Sequence, residues 1–172
     1  MKSPKYIEFH NDTNSILSRY LKAAEPNEGC AILIGDKKNS RTVTDNKNNF
    51  WEIKHIWSCR NIWGQQESKL INQNTCTLPN QKNIHLSTKN RFEINAKDQI
   101  AAQKWARKND CEILCCAHSH PIGENRPSEI DLCLHKSPGL MIISNNKGNL
   151  KAWWINNKFS FHRVKIKIFS LT

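Results

Sequence analysis

Apolar and polar positions switch between two periods along this chain, and the switches mark its elements. Residues 11–24 repeat at helical spacing, with Ile16, Leu17, Tyr20 and Leu21 on one stripe. Asp12 or Thr13 is placed to cap that helix and Pro26 stops it. Residues 30–35 (Cys-Ala-Ile-Leu-Ile-Gly) form a short continuous apolar run, the pattern of a buried strand ended by glycine. Residues 37–49 are polar and turn-like. Residues 50–59 read as a second strand with Trp51, Ile53, His55 and Trp57 on one face. Residues 61–83 are rich in Asn and Gln, follow no period, and read as a loop insertion.

The second half continues the alternation. Residues 91–94 read as a short strand, and 97–109 as a helix with Ile100, Ala101 and Trp105 facing inward. A buried strand is predicted over 111–117, and a helix opened by Pro127 over 127–136. Strands follow at 140–144, 150–155 and 159–168, the first two joined by the turn Asn146-Lys147-Gly148. Within the middle one, Trp153 and Trp154 must point to opposite faces. The order predicts an α+β fold with a central mixed sheet flanked by helices, in a single domain without internal repeats.

Composition bounds the function. A chain of 172 residues suits one core. No apolar run reaches the 18 residues of a membrane span, and residues 1–10 are charged and lack the apolar stretch of a secretory signal. A cytoplasmic protein is expected, its seven scattered cysteines free thiols. Cys111 and Cys115 fall on one strand face and Cys116 on the other. With Cys133 they make no matched metal-binding pairs, so small buried thiols are the expectation. Twenty-six basic against fifteen acidic residues leave a net charge of +11. The basic residues are dispersed; the densest group, Arg163, Lys165 and Lys167, alternates with Val164, Ile166 and Ile168 as one face of a strand. A solvated surface or an acidic protein partner accounts for this charge better than nucleic acid does.

The candidate chemistry lies in Ala117-His118-Ser119-His120-Pro121 and Pro127-Ser128-Glu129-Ile130-Asp131. Histidines two apart at a strand end point to the same side, so both rings reach one ion. The glycine-bearing loop 122–126 turns the chain back, which puts Asp131 on the first turn of the next helix. Ser128, three residues earlier, shares its face, and serine is also a favoured helix cap. Two imidazoles, one carboxylate and an open fourth position make a catalytic zinc site. Non-haem iron accepts the same donors. His10, His55, His85, His135 and His162 have no comparable partners and read as structural.

These two segments, at this spacing, resemble the signature of the JAMM (MPN+) zinc metalloprotease family, in its bacterial stand-alone branch. That family also carries a glutamate after its first helix, just before an apolar strand. Glu25-Pro26-Asn27-Glu28-Gly29-Cys30 supplies it here, with Ala31 where the family usually has glycine. The resemblance implies an MPN domain, related in fold to the cytidine deaminases. It implies His118, His120 and Asp131 as ligands of one catalytic zinc, Glu28 as the base and Ser128 as an oxyanion donor. It also implies cleavage of a peptide or isopeptide bond after the C-terminal Gly-Gly of a ubiquitin-like or sulfur-carrier protein, its tail laid along an exposed strand edge. A catalytically silent scaffold and a nucleic-acid-associated relative are the alternatives.

Overall fold

The computed structural model describes residues 2–39, 49–65, 87–157 and 159–169. Its elements run β1 (Tyr6–His10), α1 (Asn11–Ala23), β2 (Cys30–Asn39), β3 (Asn49–Cys59), α2 (Ala96–Lys108), β4 (Glu112–His120), α3 (Glu129–Leu134), β5 (Gly139–Asn145), β6 (Leu150–Asn157) and β7 (Ser160–Phe169). The mixed sheet closes on itself in the order β1-β3-β2-β4-β5-β6-β7, with β1 parallel to both β3 and β7. Each strand sends apolar side chains inward. Ile7, Leu33, Trp51, Ala117, Ile142, Trp154 and Val164 meet in one core, joined by Leu17 and Leu21 of α1. Outside the barrel, α2 covers β2 and β4, while Leu132 of α3 packs against Met141, Ile143 and Ile155.

The α+β reading holds, and the central sheet proves to be a closed one. Strand β1 was not expected from the sequence; Ile7 and Phe9 alternate with Tyr6 and Glu8, and the first pair is buried. Helix α1 takes His10 as its N-cap, with no side-chain cap bond, in place of Asp12 or Thr13. Lys37, Lys38 and Asn39 extend β2 into what reads as a turn, because they pair with Asn49–Trp51 across the hairpin. Residues 91–94 form no strand. Their peptide groups are taken by Ile62 and by the Asn61 side chain, leaving one isolated bridge between Asn61 and Ile94. Helix α3 begins after Ser128 rather than at Pro127, since Ser128 caps it. Of the expected insertion, residues 66–83 lie outside the described residues, as does His85.

Two β-bulges redirect side chains that simple alternation misplaces. Ile34 pairs with His55 but Gly35 with Ile53, so Lys54 is the extra residue. Trp51 and Ile53 therefore enter the barrel core, whereas His55 and Trp57 stack outside against Trp105 of α2. Likewise Leu114 is extra opposite β2, which parts Cys111, on the α2 side, from Cys115, in the core. On α2 the inward face is Ala102 and Ala106, with Trp105 half-buried, while Ile100 is 57% exposed. Small alanines let that helix approach the sheet closely. Cys30, Cys59, Cys111, Cys115 and Cys116 are free, and Cys116 is exposed rather than buried. Cys133, against the all-thiol expectation, is disulfide-bonded. No helix among the described residues is long and apolar enough to cross a membrane.

The first bulge explains Gly35. A Cβ there would stand 1.9 Å from the backbone oxygen of Glu52, a contact that no rotamer relieves. Gly35→Ala is expected to cost about 3 kcal/mol, as a backbone-level overpacking, read as a lower urea midpoint at unchanged slope.

Candidate metal centre

The site is built where β4 ends. Across from His118, β2 begins at Cys30, and the loop before it carries Glu28. Ser119 fastens these two elements. Its backbone N–H donates to Gly29 O at 3.0 Å, and its hydroxyl accepts from Gly29 N at 2.8 Å. The loop also packs tightly on α1: a Cβ at Gly29 would come within 2.8 Å of Leu21 O. Glu28 is thereby held in the interior, 5% exposed.

Beyond β4, the chain turns through a loop that Asn125 secures. Its side chain donates to Asn149 O at 2.9 Å, and its carbonyl accepts from the Trp153 indole at 2.8 Å. The outward tryptophan of the Trp153-Trp154 pair thus pins the loop, while Trp154 fills the core against Trp51. That loop delivers α3, which opens on a capping box. Ser128 Oγ accepts from Asp131 N at 3.2 Å, and Asp131 Oδ2 accepts from Ser128 N at 2.8 Å. The Ser128 hydroxyl also donates to Asp131 Oδ2 at 2.7 Å. These bonds aim the buried Asp131 carboxylate back at β4.

His118, His120 and Asp131 converge, their ligand atoms all within 4.8 Å of one another. The two Nε2 atoms are 3.0 Å apart, His118 Nε2 lies 3.4 Å from Asp131 Oδ1, and His120 Nε2 lies 3.3 Å from Asp131 Oδ2. Tetrahedral bonds of about 2.05 Å give an edge of about 3.3 Å, close to these separations, of which the two to Asp131 reach different carboxylate oxygens; the trio is of the size one ion takes. Glu28 Oε1 stands 3.9 Å from His120 Nε2, beside the trio rather than in it. His120 Nδ1 donates to Glu124 O at 2.9 Å, which leaves Nε2 as the nitrogen that faces the trio. His118 Nδ1 is buried without a hydrogen-bond partner; its ring is oriented by Phe92, stacked at 4.6 Å.

Burial and charge set opposite protonation tendencies here. Burial pushes Glu28 up to about 8, against the pull of His120 and Arg91. Burial pushes His118 down. Asp131 is held well below the carboxylate range: burial works against this, and the two imidazoles outweigh it. His120 is raised, because its bond to Asp131 and the charges of Asp131 and Glu28 overcome burial. A divalent ion competes with the protons of His120 and Glu28, so affinity rises as they leave. Metal affinity is therefore expected to climb as pH rises toward about 8. Calorimetry in buffers of different ionisation heat is expected to show about one proton or more released per ion at neutral pH.

Beside the trio opens a cleft of about 630 Å³, largely apolar, whose walls include Ile62, Phe92, Ile94, Asp131, Leu134 and Met141. Arg91, 5% exposed, stands in the same wall with its guanidinium 5.1 Å over the Trp63 ring. His135, which reads as structural in the sequence, is half-buried at the cleft, its Nε2 without a partner among the described residues. The sequence gives no local signal for Asn61, Arg91 or Phe92 as site residues, because each meets Glu28 or His118 only through the fold. Arg163, Lys165 and Lys167 lie on β7, away from these groups in the chain and the sheet.

A protein-family model described as prokaryotic homologs of the JAB domain matches residues 10–156. A desampylase of Pyrococcus furiosus is 31% identical over 78 residues, 45% of this chain and 56% of that protein, so the match spans about half of that relative. Among solved structures, a protein of Desulfitobacterium hafniense is similar with a TM-score of 0.70 at 18% identity, covering 96% of this chain and 94% of that one. A protein of Salinibacter ruber is similar with a TM-score of 0.56 at 25% identity, covering 94% and 91% respectively. Both likenesses are likenesses of fold.

Proposed function

Since the chain belongs to the prokaryotic homologs of the JAB domain, we propose that it is a zinc-dependent peptidase acting on a ubiquitin-like or sulfur-carrier protein, cutting the peptide or isopeptide bond after its C-terminal Gly-Gly. The observation that carries this reading is the convergence of His118, His120 and Asp131 with the buried Glu28 carboxylate 3.9 Å from His120. The partial match to a desampylase supports the substrate class.

The donor set suits zinc: two imidazole nitrogens and one carboxylate, with the fourth direction free for water. A zinc ion held there supplies Lewis acidity toward water and toward a scissile carbonyl. The chain's own groups do the rest. Glu28 takes a proton from the attacking water and delivers it to the leaving amine, as the water oxygen joins the carbonyl carbon and the C–N bond breaks. Its raised affinity for protons suits a base that must both accept and return one near neutral pH. Asp131 and the Glu124 carbonyl fix the two histidine rings. Ser128, whose hydroxyl now points at Asp131, turns it toward the developing oxyanion, a contribution of about 3 kcal/mol.

The closed barrel changes how a tail docks. Strand addition needs a free edge, and in the closed order every described strand has a neighbour on both sides. The tail is instead placed in the cleft, along the irregular segment that contains Arg91, Phe92 and Ile94. The net charge of +11 favours an acidic partner in the encounter.

The test is direct. Zinc-loaded protein is incubated with a panel of ubiquitin-like and sulfur-carrier proteins extended beyond Gly-Gly, and products are weighed by mass spectrometry. Release of the extension after the second glycine is expected. Full metal loading with no cleavage of any member would leave a silent scaffold and end this reading.

A further inference from the structure

We infer that Asn61 is a positioning residue for the base, acting through the backbone of Glu28. This rests on the peptidase reading above. Asn61 uses all four hydrogen-bonding positions of its amide. Nδ2 donates to Glu28 O at 3.0 Å and to Arg91 O at 2.9 Å. Oδ1 accepts from Trp63 N at 3.0 Å and from Glu93 N at 3.2 Å. Two carbonyls on one side and two N–H groups on the other fix the orientation of the amide without ambiguity.

What this amide joins gives it its role. Glu28 N donates to Thr88 O at 2.7 Å, so both peptide groups flanking the Glu28 side chain are tied to residues 88–93 or to the amide that clamps them. That same segment carries Phe92, whose ring lies on the metal-side histidine His118, and Arg91, in the cleft wall. Among the described residues, no other hydrogen bond holds the Glu28 carbonyl. One side chain therefore sets the base in register with the ring of a metal ligand and with the cleft floor. A displacement of about 1 Å of a reacting group costs on the order of 100-fold in rate. A neutral, fully satisfied amide is suited to the task, since a carboxylate there would face two carbonyl oxygens.

The experiment compares Asn61→Ala and Asn61→Asp with the unsubstituted protein, each zinc-loaded, on whichever panel substrate is cut fastest. We expect kcat to fall about 100-fold in both, with KM changed less than about threefold and zinc content unchanged. Asn61→Asp keeps the acceptor for Trp63 and Glu93 but turns donation to Glu28 O and Arg91 O into repulsion, so it separates the two donated bonds from the two accepted ones. Asn61→Ala placed on Glu28→Gln should add no further loss, because a residue that works through the base has nothing to position once the base is gone. In metal-free protein, hydrogen exchange at the Glu28 and Glu93 amides should quicken about tenfold or more in Asn61→Ala, a readout independent of turnover. Unchanged kcat in both variants, or an undiminished loss on the Glu28→Gln background, would overturn the assignment. An unsubstituted protein that cuts nothing would instead sink the peptidase reading, while the exchange result would still judge the clamp.

Discussion

Glu28→Gln is expected to keep its zinc and lose about 1000-fold or more of its turnover, the upper part of what a positioned general base contributes. Glutamine has the same shape and sits in the same hydrogen-bonded loop, so the metal trio is undisturbed; Glu28 is beside the trio and not a member of it. Metal analysis and single-turnover rates check both halves. A second consequence follows from burial. In the metal-free protein the Glu28 carboxyl binds its proton more tightly than the ordinary 4.5, at about 8. The folded state then holds a proton that the unfolded state has released, so folding stability declines as pH rises through that window. Metal-free Glu28→Gln lacks this burden. It is expected to melt above the unsubstituted protein at about pH 8, with the gap closing toward about pH 5. Equal melting at both values would mean that Glu28 is solvated rather than held in the interior.

His120→Ala is expected to weaken metal binding by about 1000-fold or more, since altering a group that merely orients a ligand already costs about 10–100-fold. Turnover falls with it, and added zinc restores little. The ring is 11% exposed at the mouth of the site, and its Nδ1 holds only the Glu124 carbonyl. Removing it therefore leaves the barrel core intact, and far-ultraviolet circular dichroism should be unchanged. The pair of variants separates the two tasks: Glu28→Gln binds metal without turning over, whereas His120→Ala fails to bind. If His120→Ala retained metal at full affinity, the trio would not be the metal centre.

The trio was legible in the sequence because its geometry is local. His118 and His120 are two apart at a strand end, and Ser128 and Asp131 are three apart in one capping box. Short-range periodicities fix such relations before any tertiary contact forms. The described helices, and six of the seven described strands, were legible for the same reason. Where the reading failed, the cause was a contact made across the fold. Trp57 left the face of Trp51 because Lys54 forms a bulge, and a bulge needs a partner strand to exist. Ile100 lost the inward place to Ala102 and Ala106 because closeness of approach, not hydrophobicity, sets that face of α2. Asn61 lay in an Asn-rich stretch with nothing to single it out; its partners are 33 and 30 residues away. A buried Arg91 was equally invisible, since arginine in sequence reads as surface.

Closure of the barrel has a consequence for the order in which the molecule is made. Strand β1, near the start of the chain, finds one of its two neighbours only when β7 arrives. Glu28, His118, His120 and Asp131 have all left the ribosome by then. During synthesis these side chains can meet while Ile7 and Phe9 are still waiting for their second flank. The last staple is thus a parallel pairing between the first and last described strands, and released chains truncated before residue 160 should stay open to protease at β1.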